Sequence, residues 1–106
     1  MTERLSISVS SDDRGGATVA VGGELDTANA ALLGEAIAAA AAERPPELVL
    51  DLAMLDYVDS SGLGTILAAR AALAEQTEFR IVGAHGTVAR VFERAGLGSL
   101  LRGAAG

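Results

Sequence analysis

The residues best suited to chemistry in this chain run Asp56-Tyr57-Val58-Asp59-Ser60-Ser61-Gly62-Leu63-Gly64. Acids flank the approach, two hydroxyls sit together, and two glycines leave room for close approach. The apolar series that follows, Leu63, Ile66, Leu67 and Leu73 with Ala69 and Ala74 between, has helical spacing. Asp59 or Ser60 is then the N-cap, its side-chain oxygen accepting from an amide one turn in. The unpaired amides and the positive end of the helix dipole favour an anion. A serine hydroxyl there is a natural phosphate acceptor, and the phosphate would add about −1.5 to −2 charges beside existing acids. The same residues also make an ordinary cap, because Ser and Asp are common at helix starts.

Other chemistries are poorly supplied. A serine nucleophile needs a base, and His85 is the sole histidine, in a loop where solvent exposure is expected. The Gly-x-Ser-x-Gly elbow is absent, since Val58 stands two residues before Ser60. All eight basic residues are arginine, which excludes lysine Schiff-base chemistry and a Walker-type phosphate loop. Without cysteine there is no disulfide, thiol nucleophile or sulfur-ligated metal, and no metal or cofactor is expected. A net charge of −6 argues against a nucleic-acid or anionic-membrane surface. Residues 1–53 carry nine acids and three arginines, while residues 54–106 carry five of each. Neither a signal-peptide pattern nor a long apolar run is visible, so a cytoplasmic protein is expected.

The elements that must position Ser60 follow from periodicity. Leu5, Ile7 and Val9 alternate with serines as in a half-buried strand, and Ala17 to Val21 reads as its hairpin partner across an Asp12-Asp13-Arg14-Gly15-Gly16 turn. Gly22-Gly23-Glu24-Leu25-Asp26 leads to a helix capped by Asp26 or Thr27, with Leu32, Leu33, Ala36, Ile37 and Ala40 as its buried stripe. Arg44-Pro45-Pro46 ends it. Glu47 to Leu52 is a short strand, followed by a loop to the Ser60 helix. Glu78 to Val82 is another strand, and Val88, Val91, Phe92 and Ala95 line a last helix closed by Gly96 with Leu97 folding back. A final short strand or turn follows, and 103–106 reads as a frayed tail after a domain spanning 1–102. Tyr57 is expected to be partly buried, Phe79 and Phe92 to be core, and Arg90 and Arg94 to form a solvated face or to pair with a partner's acids.

Strand–helix–strand units with short connections imply an α/β domain. Its sheet is mostly parallel and four- to five-stranded, with an N-terminal antiparallel hairpin and helices packed against it. Ligands and partners of such sheets gather where strands end and helices begin. Asp59-Ser60 and Glu24-Leu25-Asp26 both lie at that edge.

With this order in hand, the chain resembles the STAS family, and within it the bacterial anti-sigma factor antagonists. Gly23-Glu24-Leu25-Asp26, Leu48-Val49-Leu50-Asp51-Leu52, Val58-Asp59-Ser60-Ser61-Gly62-Leu63-Gly64, Phe79-Arg80-Ile81-Val82 and Val88 to Leu97 carry the resemblance in order. It implies a protein that is not an enzyme. Unphosphorylated, such an antagonist binds an anti-sigma factor that is itself an ATP-dependent serine kinase, and so frees the sigma factor. Phosphorylation of Ser60 then ends binding, and a serine phosphatase resets the cycle. The resemblance further implies partner contacts by Asp26, Asp59, Ser61, Gly62, Leu63 and Gly64, with Ser61 as fallback acceptor. The competing expectation is a non-phosphorylated STAS subunit of a lipid or anion transport system, or a stress-complex scaffold, since fold does not fix function.

Overall fold

Alternation of apolar and polar residues drives the first two strands together, and the Asp12 side chain shapes the turn between them. Its Oδ1 accepts from the amides of Arg14 and Gly16, each at 2.8 Å. The computed structural model describes residues 4–102, so the expected tail at 103–106 lies outside the described residues. The elements are β1 (Leu5–Ser11), β2 (Ala17–Leu25), α1 (Ala30–Ala41), β3 (Glu47–Val58), α2 (Ser60–Ala72), β4 (Glu78–Val82), α3 (Gly86–Arg94) and α4 (Gly98–Arg102). One four-stranded sheet has the order β1-β2-β3-β4, antiparallel between β1 and β2 and parallel thereafter. Both crossovers step the same way across the sheet, so one handedness puts α1 and α2 on a common face. They pack there, with Gly34 of α1 facing the Thr65 methyl of α2.

The core is aliphatic. Val19, Val21, Leu25, Leu33, Ile37, Leu48, Leu50, Leu52, Leu55, Val58 and Ile66 are buried, and Val88 and Phe92 bring α3 into the same cluster. The alternate residues of the sheet, Ser6, Ser8, Thr18, Ala20, Val49, Asp51, Met54 and Arg80, stay half-buried or exposed. The sheet therefore has one dry face and one open one.

Several expectations need correction. β3 does not end at Leu52; it runs 12 residues to Val58, directly into the Ser60 helix. Its alternation breaks at Ala53 because the β2–β3 register shifts there, and Asp51 Oδ1 accepts from the Ala53 amide at 2.9 Å. β2 likewise continues through Gly22 and Gly23 to Leu25 rather than stopping at Val21. The α1 stripe is Ala30, Leu33, Ile37 and Ala40, while Leu32 is exposed. Ala95 and Tyr57 are also exposed, and Phe79 is half-buried at the core margin. The final segment is the short helix α4, not a strand or turn. The glycine cap on α3 is as expected: Gly96 sits at φ 79, and the Leu97 amide donates to the Phe92 carbonyl at 2.8 Å.

Candidate functional site

β2 and β3 end side by side, with Leu25 opposite Val58 in the ladder, and each feeds a helix. The two connections are stitched together. The Asp59 amide donates to the Leu25 carbonyl at 3.2 Å, and the hydroxyls of Thr27 and Ser61 lie 2.9 Å apart. The N-termini of α1 and α2 thus form one surface.

Within it, the cap of α2 is Asp59, the first of the two alternatives. Its Oδ1 accepts from the Gly62 amide at 2.9 Å, and its carbonyl accepts from Leu63 at 2.9 Å. Ser60 is therefore the first helical residue, exposed and free of capping duty. Helix geometry leaves its amide and that of Ser61 without intrahelical partners, so the hydroxyl stands where an anion is favoured.

The glycines divide. A Cβ on Gly62 would lie 2.7 Å from Leu25 Cγ and 2.9 Å from both Leu25 Cδ2 and Val58 Cγ2. Gly62 is buried, and its bare Cα lets α2 descend onto the ends of β2 and β3. The expectation that it admits a partner's backbone is corrected, because its own core already fills that space. Leu63 is also buried, at 8% exposure, and contributes to the surface only through its position in the first turn. Gly64 is exposed, and a methyl added there would have nothing within 4 Å, so it alone leaves open space.

Around the first connection, Asp26 does not cap α1, and neither does Thr27. The N-cap is Asn29, which sequence reasoning missed. Its Oδ1 accepts from the Asp26 amide and its Nδ2 donates to the Glu24 carbonyl, both at 2.9 Å. Asn29 is the one buried polar residue among the described residues, and both its bonds fix the loop rather than the helix. The signal was present: Asn is a good cap and lies three residues after Asp26. Asp26 Oδ1 accepts from the Ala28 amide, and Oδ2 pairs with Arg4 Nη1 at 2.6 Å. Arg4 also reaches Glu24 at 3.3 Å. Hydrogen bonding to Asp26, and then its charge, hold the Arg4 proton more firmly than usual. Asp26 thus carries its own counter-ion.

His85 lies in the loop before α3, exposed as expected, and its Nε2 donates to the Ala53 carbonyl at 2.9 Å. That bond ties the loop to β3 and leaves the ring unbonded to either serine. Arg90 and Arg94 are exposed on α3. Among the described residues, no group of acids or histidine could hold a metal, and no helix is long and apolar enough to cross a membrane.

The arrangement is that of a small α/β module displaying a hydroxyl at a stitched pair of helix starts. The family model of the STAS domain matches residues 8–104, and the chain belongs to that family. Over 79 residues it is 37% identical to the anti-sigma-F factor antagonist RsfB of Mycobacterium tuberculosis, in both strain CDC 1551 / Oshkosh and strain H37Rv. That match takes in 74% of this chain and 64% of the length of RsfB. A crystal structure of an anti-sigma factor antagonist from Mycobacterium paratuberculosis is similar at a TM-score of 0.83 and 32% identity, over 92% of this chain and 82% of that one. The anti-sigma factor antagonist SpoIIAA in its unphosphorylated form shares the fold, at a TM-score of 0.77 and 22% identity over 91% and 85% of the two chains.

Proposed function

We propose that this chain is an anti-sigma factor antagonist whose unphosphorylated form binds an anti-sigma factor serine kinase and so releases the sigma factor. Phosphorylation at Ser60 ends binding, and a serine phosphatase restores it. The observation that carries the reading is the placement of Ser60: exposed at the first position of α2, with Asp59 doing the capping. The names of RsfB and of the Mycobacterium paratuberculosis protein support the same role. The module works by binding, in the cytoplasm, and Ser60 is the substrate of its partner rather than a catalyst.

The energetics are adequate. A phosphate on Ser60 stands beside Asp59 and adds about −1.5 to −2 charges, with their hydration, to the surface the partner must cover. A loss of ~3 kcal/mol in affinity is roughly 150-fold, enough to empty a complex. The helix start meanwhile tolerates the anion, so the domain stays folded while the complex separates.

Intact mass with fragment mapping, before and after phosphatase treatment, tests the acceptor in protein purified from its own host. The expected result is one phosphatase-sensitive phosphate on Ser60. Because Asp59 is the cap, Ser60→Ala should change stability by less than about 0.5 kcal/mol, and it should leave the chain permanently able to bind. Ser60→Glu should bind weakly while remaining folded. Equal binding by parent, Ser60→Ala and Ser60→Glu overturns the switch.

A further inference from the structure

Four large apolar side chains are exposed among the described residues: Val9 at 53%, Leu32 at 56%, Met54 at 75% and Tyr57 at 44%. Two of them lie on the last stretch of β3 before Ser60. Met54 stands opposite Gly22 and Tyr57 opposite Glu24. Gly22 offers no side chain to cover Met54, which is why the methionine stands clear of the sheet. Burying two such groups would be favourable by roughly 1.5–3 kcal/mol each, yet no element among the described residues does so.

We infer that Met54 and Tyr57 form the apolar centre of a protein-docking surface, continuous with the Ser60 corner, for the anti-sigma factor kinase of the proposed function. The inference rests on that reading and extends it to residues outside the Asp59–Gly64 segment. Tyr57 is three residues from Ser60 and Met54 six, or about 10 and 20 Å along an extended strand. A standard interface of ~800 Å² per partner is about 30 Å across, wide enough to take in all three. Tyr and Met are enriched at interface cores, and a strand presents them with little ordering cost.

The charges around them fix the chemistry of the partner. Glu24 and Asp56 are exposed beside the two apolar side chains, and Asp59 is half-buried at the α2 cap. Arg4 pairs with both Asp26 and Glu24, which leaves one net negative charge among the three, and Asp56 and Asp59 add to it. The complementary face is thus an apolar patch rimmed with arginine or lysine. Such a rim speeds association and makes it salt-sensitive.

The test uses the anti-sigma-F factor of Mycobacterium tuberculosis as probe, titrated calorimetrically with the parent chain and with Met54→Ser, Tyr57→Ser and Val9→Ser. Val9 faces Val19, six residues before Leu25, and so lies about 20 Å toward the opposite end of the sheet. Met54→Ser and Tyr57→Ser should each weaken binding about tenfold or more, with unchanged melting temperature, while Val9→Ser stays within about twofold. If the parent binds, Ser60→Glu weakens it, and neither Met54→Ser nor Tyr57→Ser does, the docking surface is refuted and the Ser60 reading stands. If the parent binds neither this factor nor any anti-sigma factor kinase of its own host, the proposed function and the surface fall together. A parent dimer that Met54→Ser dissolves assigns the patch to a second copy of the chain and overturns the inference.

Discussion

Two glycines two residues apart in the same helix should respond to alanine with opposite signs. At Gly62 the added methyl meets Leu25 Cγ at 2.7 Å and Leu25 Cδ2 and Val58 Cγ2 at 2.9 Å, all closer than carbon atoms approach. Leu25 and Val58 are 0% and 1% exposed, so neither side chain can swing into solvent to make way. Overpacking of this kind costs about 1–3 kcal/mol, and three contacts on two walls argue for the upper end. The helix gains at most ~1 kcal/mol from replacing glycine by alanine. The net is a loss of about 2 kcal/mol, or a fall in melting temperature of about 8–10 °C for a domain near 100 residues. At Gly64 a methyl meets nothing within 4 Å, so only the propensity gain remains. Gly64→Ala should gain about 0.4–1 kcal/mol and melt about 2–5 °C higher. Thermal denaturation followed by circular dichroism reads both. A Gly62→Ala protein that melts at or above the parent refutes the claim that α2 is seated through a bare Cα. Binding adds a second readout, because α2 can relieve the clash only by lifting Ser60 and Asp59 away from the ends of β2 and β3.

Three further outcomes follow from the same contacts. Asn29→Ala leaves the Asp26 amide and the Glu24 carbonyl without their partner and should cost about 2 kcal/mol, with Asn29→Asp intermediate because it restores only the acceptor; urea unfolding checks both. Asp59→Ala removes the bond from the Gly62 amide and should cost ~1 kcal/mol, measured as a lower urea midpoint at constant slope. Phe92→Ala empties a 0% exposed site where α3 meets the core and should cost about 3–5 kcal/mol, again by urea midpoint.

Much of the fold was legible because its signals are local. The alternation in β1, the turn residues Asp12 to Gly16, the Gly96 cap and the helical spacing after Ser60 are each decided within a few residues. The order of elements then implied the parallel sheet and placed both helix starts at one edge. What failed locally failed where a neighbouring strand overrode the pattern. Ala53 to Val58 looks like a loop because its alternation breaks, yet β2 continues beside it and absorbs the irregularity as a register shift. Leu32 looks buried and Tyr57 partly buried because they are large and apolar or aromatic, but nothing among the described residues lies over them.

The candidate site divides in the same way. Sequence alone determined which residues could carry the chemistry: a hydroxyl pair beside an acid, at the start of an apolar helix, with no cysteine or lysine to compete. It could not choose between Asp59 and Ser60 as the cap, or tell a glycine needed by the core from one left open. Those choices depend on residues far apart in the chain. Thr27 meets Ser61 across 34 positions, and Leu25 closes over Gly62. Capping and close packing are decided by which atoms share a volume of a few cubic ångströms, and only the tertiary structure brings those atoms together.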